Sequence, residues 1–390
     1  MTEQSGATSG SSRLSLRKRT LFTLTLMLVV GLLAFAISEW YVRRTSKLGY
    51  VTPQILKDRS VQYVPSLFSR HVLPQKELRA YGGEGPNGSI FYYINEKGYR
   101  GHNFEWNKPA GKIRIIFYGG SNVFDIWMPD DEDWPHQVER ILNENGFPQV
   151  ETINAGIPGH ASFDCTGRLW SEGHMFQPDY VVFCGAWNDI KKHFRFSEPL
   201  LRQMQPYAED SDPRLNYQGR LDRFLCEHSQ LFVRVRQKYY DWKLKADLEG
   251  EVVQRDGTFD FDLQEEALKQ YELNVQLFVD CAKDIGAVPV LMTEARLAVR
   301  ASTDDTSDAQ PKGRSGDETL LTAYERIEQI LRDVARDKNA VLVDSSKELN
   351  GKPEFFTDRV HLTERGSREL ATLVTHAMGS LLKERSISAH

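Results

Sequence analysis

From Lys112 onward the chain alternates short apolar runs with longer segments in which apolar residues recur every three or four positions. "KIRIIFYGG", "QVETINAG", "DYVVFCG", "AVPVLMTEA" and "AVLVDSS" each read as a buried strand, apolar or β-branched through its middle and closed by a glycine or a polar residue. "DEDWPHQVERILNENG", "LTAYERIEQILRDVARDKN" and "TERGSRELATLVTHAMGSLLKE" have helical spacing, the first with acids at its start and Gly146 at its stop. Strands alternating with amphipathic helices predict an α/β fold on a mostly parallel sheet.

Three regions depart from this rhythm. Residues 39–111, with "YVPSLFSRHVLP" and "YGGEGPNGS", lack a helical period and read as an extended arm that packs on the main domain. Residues 191–262 form a long excursion between a strand and the next helix. They hold a helical stretch, "RLDRFLCEHSQLFVRVRQKYYDWKLKADLE", and are a candidate cap over a site. The polar run 301–318 reads as a flexible loop.

The N-terminus adds a different signal. Residues 1–19 read as a disordered basic tail, and 20–38 as a transmembrane signal-anchor. Leu21 to Ser38 is 18 residues without a charge, the lower limit for a helix that spans a bilayer, and Trp40 and Tyr41 follow where an interfacial belt would lie. "AFA" also fits a signal-peptide cleavage site, but the apolar run is longer than such peptides need. Basic residues balance on the two sides. A short basic tail before a long domain predicts a cytoplasmic N-terminus and an extracytoplasmic body.

Charge narrows the partners. Residues 1–50 hold seven Lys/Arg and two Glu, which leaves 42 basic against 52 acidic residues in the rest. An acidic body argues against nucleic acid. The four cysteines have neither CxxC pairing nor zinc spacing, and buried free thiols are expected. No metal or cofactor is called for.

The chemistry sits after the strands, where ligands of open parallel sheets bind. "GGSN" follows the first strand, "NAGIPGHAS" the second, "GAWND" the third and "FFTDRVHLTERG" the last. These bring a serine, a glycine loop, an asparagine and an Asp-x-x-His to one edge, which is the equipment of serine-based acyl transfer. Ser121 would be the nucleophile, His361 its general base, and Asp358 the group that fixes the imidazole tautomer. Ser121 N–H, Gly159 N–H and the Asn188 amide would form an oxyanion hole. Asn122 and Trp187 are candidates for substrate contact, and Asp189 for structural support. His160 and His174 read as packing histidines.

At these residues the sequence resembles the SGNH (GDSL-like) hydrolases, whose blocks centre on Ser, Gly, Asn and Asp-x-x-His in this order. The resemblance covers roughly residues 94–380, and "INEKGYRG" with "DEDWP" looks like a membrane-attached branch of the family. Gly120 stands where the family name has Asp, and Asn122, Val123, Phe124 and Asp125 depart from the usual continuation. The resemblance implies a three-layer α/β/α sandwich with a flavodoxin-like sheet over residues 112–384, after the N-terminal transmembrane helix. It also implies an esterase without metal or cofactor, acting on O-acyl esters, with O-acetyl groups of an envelope or extracellular polysaccharide the leading expectation. Alternatives are an O-acetyltransferase with the same residues, a lipid esterase or thioesterase, and a non-catalytic scaffold among envelope-assembly partners.

Overall fold

The computed structural model describes residues 16–45, 50–59, 63–85, 88–192, 213–214, 216–252, 263–299 and 317–388. Most of the basic tail, most of the 301–318 loop and residues 193–212, 215 and 253–262 of the 191–262 excursion lie outside the described residues.

Helix α1, Leu16–Thr45, is long and apolar enough to cross a membrane, and none of its apolar window is buried against the body. The arm that follows contains more regular structure than its composition predicts. It has a one-turn-plus helix α2 (Pro53–Arg59), a two-residue pair β1 (Val64–Pro65) and β2 (His71–Val72), and an antiparallel hairpin β3 (Leu78–Gly85) and β4 (Gly88–Ile94). The hairpin's Ile90, Tyr92 and Ile94 are buried with Leu73, Phe124 and Ile157, so the arm is packed onto the body through its own small core.

The body is built on β5 (Ile113–Gly119), β6 (Val150–Asn154), β7 (Tyr180–Cys184), β8 (Val288–Met292) and β9 (Val341–Val343). All five pair in parallel, in the order β6-β5-β7-β8-β9, as the alternating pattern predicts. The inner strands β5, β7 and β8 are buried on both faces through most of their length, which is why they read as nearly continuous apolar runs. Along β5, Ile115 and Phe117 enter one core and Ile116 and Tyr118 the other, following the two-residue period of a strand. Helices α4 (Trp134–Glu144) and, at the C-terminus, Glu364–Ser388 cover the first face. Helices α5 (Ser162–Glu172), Glu265–Asp284 and Asp317–Asp337 cover the second. The result is a three-layer α/β/α sandwich of flavodoxin-like strand order. The order reverses between β5 and β7, so the crevice of the sheet opens at their carboxyl ends.

The helical stretch inside the excursion is two helices, Arg220–His228 and Gln230–Val252, broken at Ser229. Ser229 is extended, and its Oγ accepts the Phe232 N–H at 3.0 Å. The break is also fixed from outside, because the Glu39 carboxylate accepts Ser229 Oγ–H and the N–H groups of Gln230 and Leu231, each at 2.8 Å. Arg43 donates to the His228 carbonyl at 2.9 Å. The end of α1 therefore caps the second helix. Val51, Leu56, Cys226 and Val233 form a small core beside it.

Candidate functional site

The turn after β5 explains why two glycines precede the serine. A Cβ on Gly119 would stand 2.2 Å from Val123 Cγ2 and 2.4 Å from the Cys184 carbonyl oxygen. One on Gly120 would stand 2.5 Å from Asn188 Nδ2. No side chain fits at either position while β7 and its asparagine stay where they are. Ser121 then opens a four-residue helix, α3 (Ser121–Phe124), so its N–H has no helical carbonyl to bond. The turn is held from below. Trp134 Nε1 donates to the Asn122 carbonyl at 2.8 Å, and Asp125, in the left-handed region at φ 58°, accepts the Trp134 N–H at 3.1 Å and Ser367 Oγ–H at 2.5 Å. Burial pushes the Asp125 carboxyl up to about 7 in spite of these bonds and of Arg100.

The last loop of the sheet brings in the other half. His361 Nε2 is 2.7 Å from Ser121 Oγ, and His361 Nδ1 is 2.7 Å from Asp358 Oδ2. The other oxygen of Asp358 accepts the N–H groups of Val360 and His361 at 3.0 and 2.9 Å, which closes a tight turn around the carboxylate. Burial works against the Asp358 charge, but the imidazole and the two N–H groups outweigh it and hold the carboxyl below its ordinary value. The serine, histidine and aspartate separated by 240 residues of chain thus form one continuous line of hydrogen bonds.

Gly159 and Asn188 arrive at the same edge. Gly159 adopts φ +87°, a backbone that favours glycine. Asn188 Nδ2 donates to the His160 carbonyl at 2.9 Å, and the same nitrogen is what excludes a side chain at Gly120. Asn122 turns its amide to Cys184 Sγ at 3.4 Å and borders a small void of about 10 Å³, shared with Glu294, Val360 and Leu362. Trp187 is half-buried against the helical core of the second face, and its N–H donates to Glu294 Oε2 at 2.7 Å. Asp189 is buried and accepts Ser162 N–H at 3.1 Å and Oγ–H at 2.6 Å, a bracing role for the loop. Burial pushes its carboxyl up to about 7. Burial likewise raises the Glu294 carboxyl despite the N–H groups of Trp187 and Ala186.

Several residues around the site carry no sequence signal of their own. The Trp127 ring stands edge-on to His361, with centroids 6.5 Å apart. Arg100, from "GYRG" in the arm, is buried and donates to the carbonyls of Phe124, Asp125, Met128 and Pro129, the whole exit of the serine turn. Arg70 donates to the Gly159 carbonyl and, in a bidentate pair, to Asp164. His71 lies 3.1 Å from the Pro158 carbonyl. The arm thus grips both loops. The nearest sequence hint was the "INEKGYRG" stretch, which pointed to a branch and not to a contact. Among the described residues, no group of three or more His, Cys, Asp or Glu is placed to hold a metal ion.

Residues 117–369, well over half of the chain, match the model of the GDSL-like lipase/acylhydrolase family. The chain belongs to that family. It is accordingly a hydrolase of ester bonds with an SGNH fold. No curated protein matches the chain. Among solved structures it is similar to the acetyl xylan esterase AlAXEase, at 18% identity and TM-score 0.41 over 68% of this chain and 99% of that one. It is similar also to a catalytic mutant of an acetylxylan esterase from Geobacillus stearothermophilus, at 14% identity and TM-score 0.41 over 70% and 96%. A lipase/acylhydrolase from Enterococcus faecalis matches at 15% identity and TM-score 0.39 over 68% and 94%.

Proposed function

We propose that this acylhydrolase is a serine esterase for short O-acyl groups, acetyl above all, carried on carbohydrate. The observation that carries the reading is the line Ser121 Oγ–His361 Nε2–Asp358, with 2.7 Å at each step. In the first half-reaction His361 takes the Ser121 proton as Oγ bonds to the ester carbonyl carbon. The oxyanion is met by the N–H groups of Ser121 and Gly159 and by the Asn188 amide. His361 then protonates the departing sugar oxygen as its bond to carbon breaks, leaving acyl-Ser121. In the second half, water loses a proton to His361, attacks the acyl carbon, and the carboxylic acid leaves as Ser121 regains its proton.

One feature favours a sugar-borne ester. The Trp127 ring beside His361 offers an apolar face of the kind on which sugar rings stack. Asn122 borders the acyl side, and Trp187 holds the Asn188 helix on its other flank. An acetyltransferase would use the same line of residues with a sugar hydroxyl in place of water. A scaffold without catalysis would have no need of a base set 2.7 Å from a serine hydroxyl.

We assign α1 as an uncleaved single-pass anchor with the N-terminus cytoplasmic and the body extracytoplasmic. The length and apolar character of α1, with none of its apolar window buried, favour an anchor over a packed helix. The test is hydrolysis of 4-nitrophenyl acetate and longer homologues by the full chain in detergent, beside Ser121→Ala and His361→Ala. Turnover that needs both residues and falls with chain length supports the reading. Equal turnover in wild type and variants would remove Ser121 and His361 from the chemistry, and a preference for long chains would remove the acetyl assignment.

A further inference from the structure

The Gly159 loop is a β-turn of a kind that has two backbone forms, of which one is present. The His160 N–H donates to the Ile157 carbonyl at 3.0 Å across Pro158 and Gly159. Pro at the second position, glycine at the third and φ +87° at Gly159 make it a type II turn. The alternative, type I, differs by a half-rotation of the central peptide, Pro158–Gly159. Glycine tolerates both signs of φ, so the turn alone does not forbid that rotation. The described chain has no cis peptide, so the Pro158 carbonyl and the Gly159 N–H point in opposite directions from one plane. Rotating the peptide would carry the N–H to the opposite side of the loop.

One residue reads the state of that peptide. His71 Nε2 meets the Pro158 carbonyl oxygen at 3.1 Å, and the carbonyl accepts. The His71 ring is not free to follow a rotated carbonyl. It is buried, with the Tyr63 ring edge-on at 4.6 Å and the His160 ring at 5.1 Å. Its own backbone carbonyl accepts from His160 Nε2 at 2.7 Å. The neighbouring Arg70 holds the next peptide by its Gly159 carbonyl, and Arg70 is itself locked on buried Asp164. Burial acts to raise the Asp164 carboxyl, but Arg70 and the Ala161 N–H hold it well below the carboxylate range, so the pair stays ionic. The His160 carbonyl, one residue on, accepts from Asn188. Two adjacent arm residues thus fix the two peptides that flank Gly159, and the same loop fixes Asn188.

We infer that His71 is a positioning residue for the oxyanion hole: by holding the Pro158 carbonyl it keeps the turn in its type II state and aims the Gly159 N–H at the reacting carbonyl. This rests on the proposal that Ser121, Gly159 and Asn188 carry out acyl transfer. It gives the arm a part in the chemistry, since the bond comes from a residue some 87 positions away in the sequence.

The experiment compares wild type, His71→Phe, His71→Gln and Ser121→Ala as full chains. The readouts are kcat and KM for 4-nitrophenyl acetate and the rate at which a fluorophosphonate labels Ser121, located by mass spectrometry. The phosphonyl oxygen occupies the same hole, so labelling reads its geometry without a natural substrate. Losing a hole donor outright costs about 10²–10³ in kcat, so a donor left free to rotate should cost about 10- to 100-fold. His71→Phe keeps a ring without the donor and is expected to lower kcat and the labelling rate by that factor at nearly constant KM. His71→Gln, whose amide can reach the carbonyl, is expected to restore most of both. Wild-type rates in His71→Phe, or equal losses in Phe and Gln, would overturn the role of His71. Absence of label at Ser121 in wild type, or full activity in Ser121→Ala, would instead overturn the acyl-transfer reading beneath it.

Discussion

Ser121 and His361 meet at 2.7 Å, yet the two loops that present them are held in opposite ways. The serine turn is fixed by what surrounds it. Gly119 and Gly120 have no room for a Cβ, Asp125 and Asn122 are tied to Trp134, and Arg100 fills the exit. The histidine turn is fixed mainly from within, although the Leu297 N–H also holds its Arg359 carbonyl at 2.8 Å. Asp358 is half-exposed and closes its loop on Val360 and His361, two and three residues ahead. A nucleophile has to stand at one point relative to a strand, and long-range packing sets that point. A base has only to face it, and a local carboxylate does that.

The comparison fails outright if Ser121→Ala leaves activity in place. We expect kcat to fall by about 10³-fold or more, with stability within about 0.5 kcal/mol of wild type. Asp358→Asn tests the self-contained loop. It should lower kcat by about 10²–10⁴ through loss of the tautomer, and a half-exposed site should register little in unfolding. A large loss of stability would mean that this turn, too, depends on distant packing. Gly119→Ala tests the crowded loop and should destabilise by about 1–3 kcal/mol, measured by chemical denaturation, because the clash is with a β7 carbonyl and Val123. An unchanged midpoint would mean the serine turn can relax, and the contrast would vanish.

The smallest effect concerns Asp189, whose carboxyl burial raises to about 7. Between the ordinary carboxylate range and that value, the folded chain keeps a proton the unfolded chain has lost. The group thus favours folding at low pH, and this contribution disappears as pH rises through about 7. Relative to wild type, Asp189→Asn should therefore gain about 1–3 kcal/mol between pH 5 and pH 8. Equal differences in unfolding midpoint at the two pH values would mean that Asp189 folds ionised.

The same contrast marks what could be read from the sequence. The strands were legible because a strand covered on both faces is apolar through most of its length, and Ile115 to Tyr118 supply both cores. Asp358 and His361 were legible because their partnership is local. Ser121, Gly159 and Asn188 were legible as residues that follow strands. The arm was read as packing, and its use of Arg70, His71 and Arg100 was not legible. Those side chains bind backbone carbonyls far along the chain, and a carbonyl leaves no mark on a sequence. For the same reason the break at Ser229 was missed, since its cap is Glu39, 190 positions earlier.

That cap has a mechanical consequence. A flexible linker would let the serine wander over a shell whose radius grows with linker length, and local concentration would fall as that shell widened. Glu39 and Arg43 take up the slack instead, because the end of α1 and the start of the 230–252 helix share hydrogen bonds. The head turns with its stem. With α1 in a bilayer as proposed above, esters would be selected by height above the plane through Trp40 and Tyr41 as well as by chemistry, and lengthening the stem by one helical turn, about 5.4 Å, would shift the working layer by that amount.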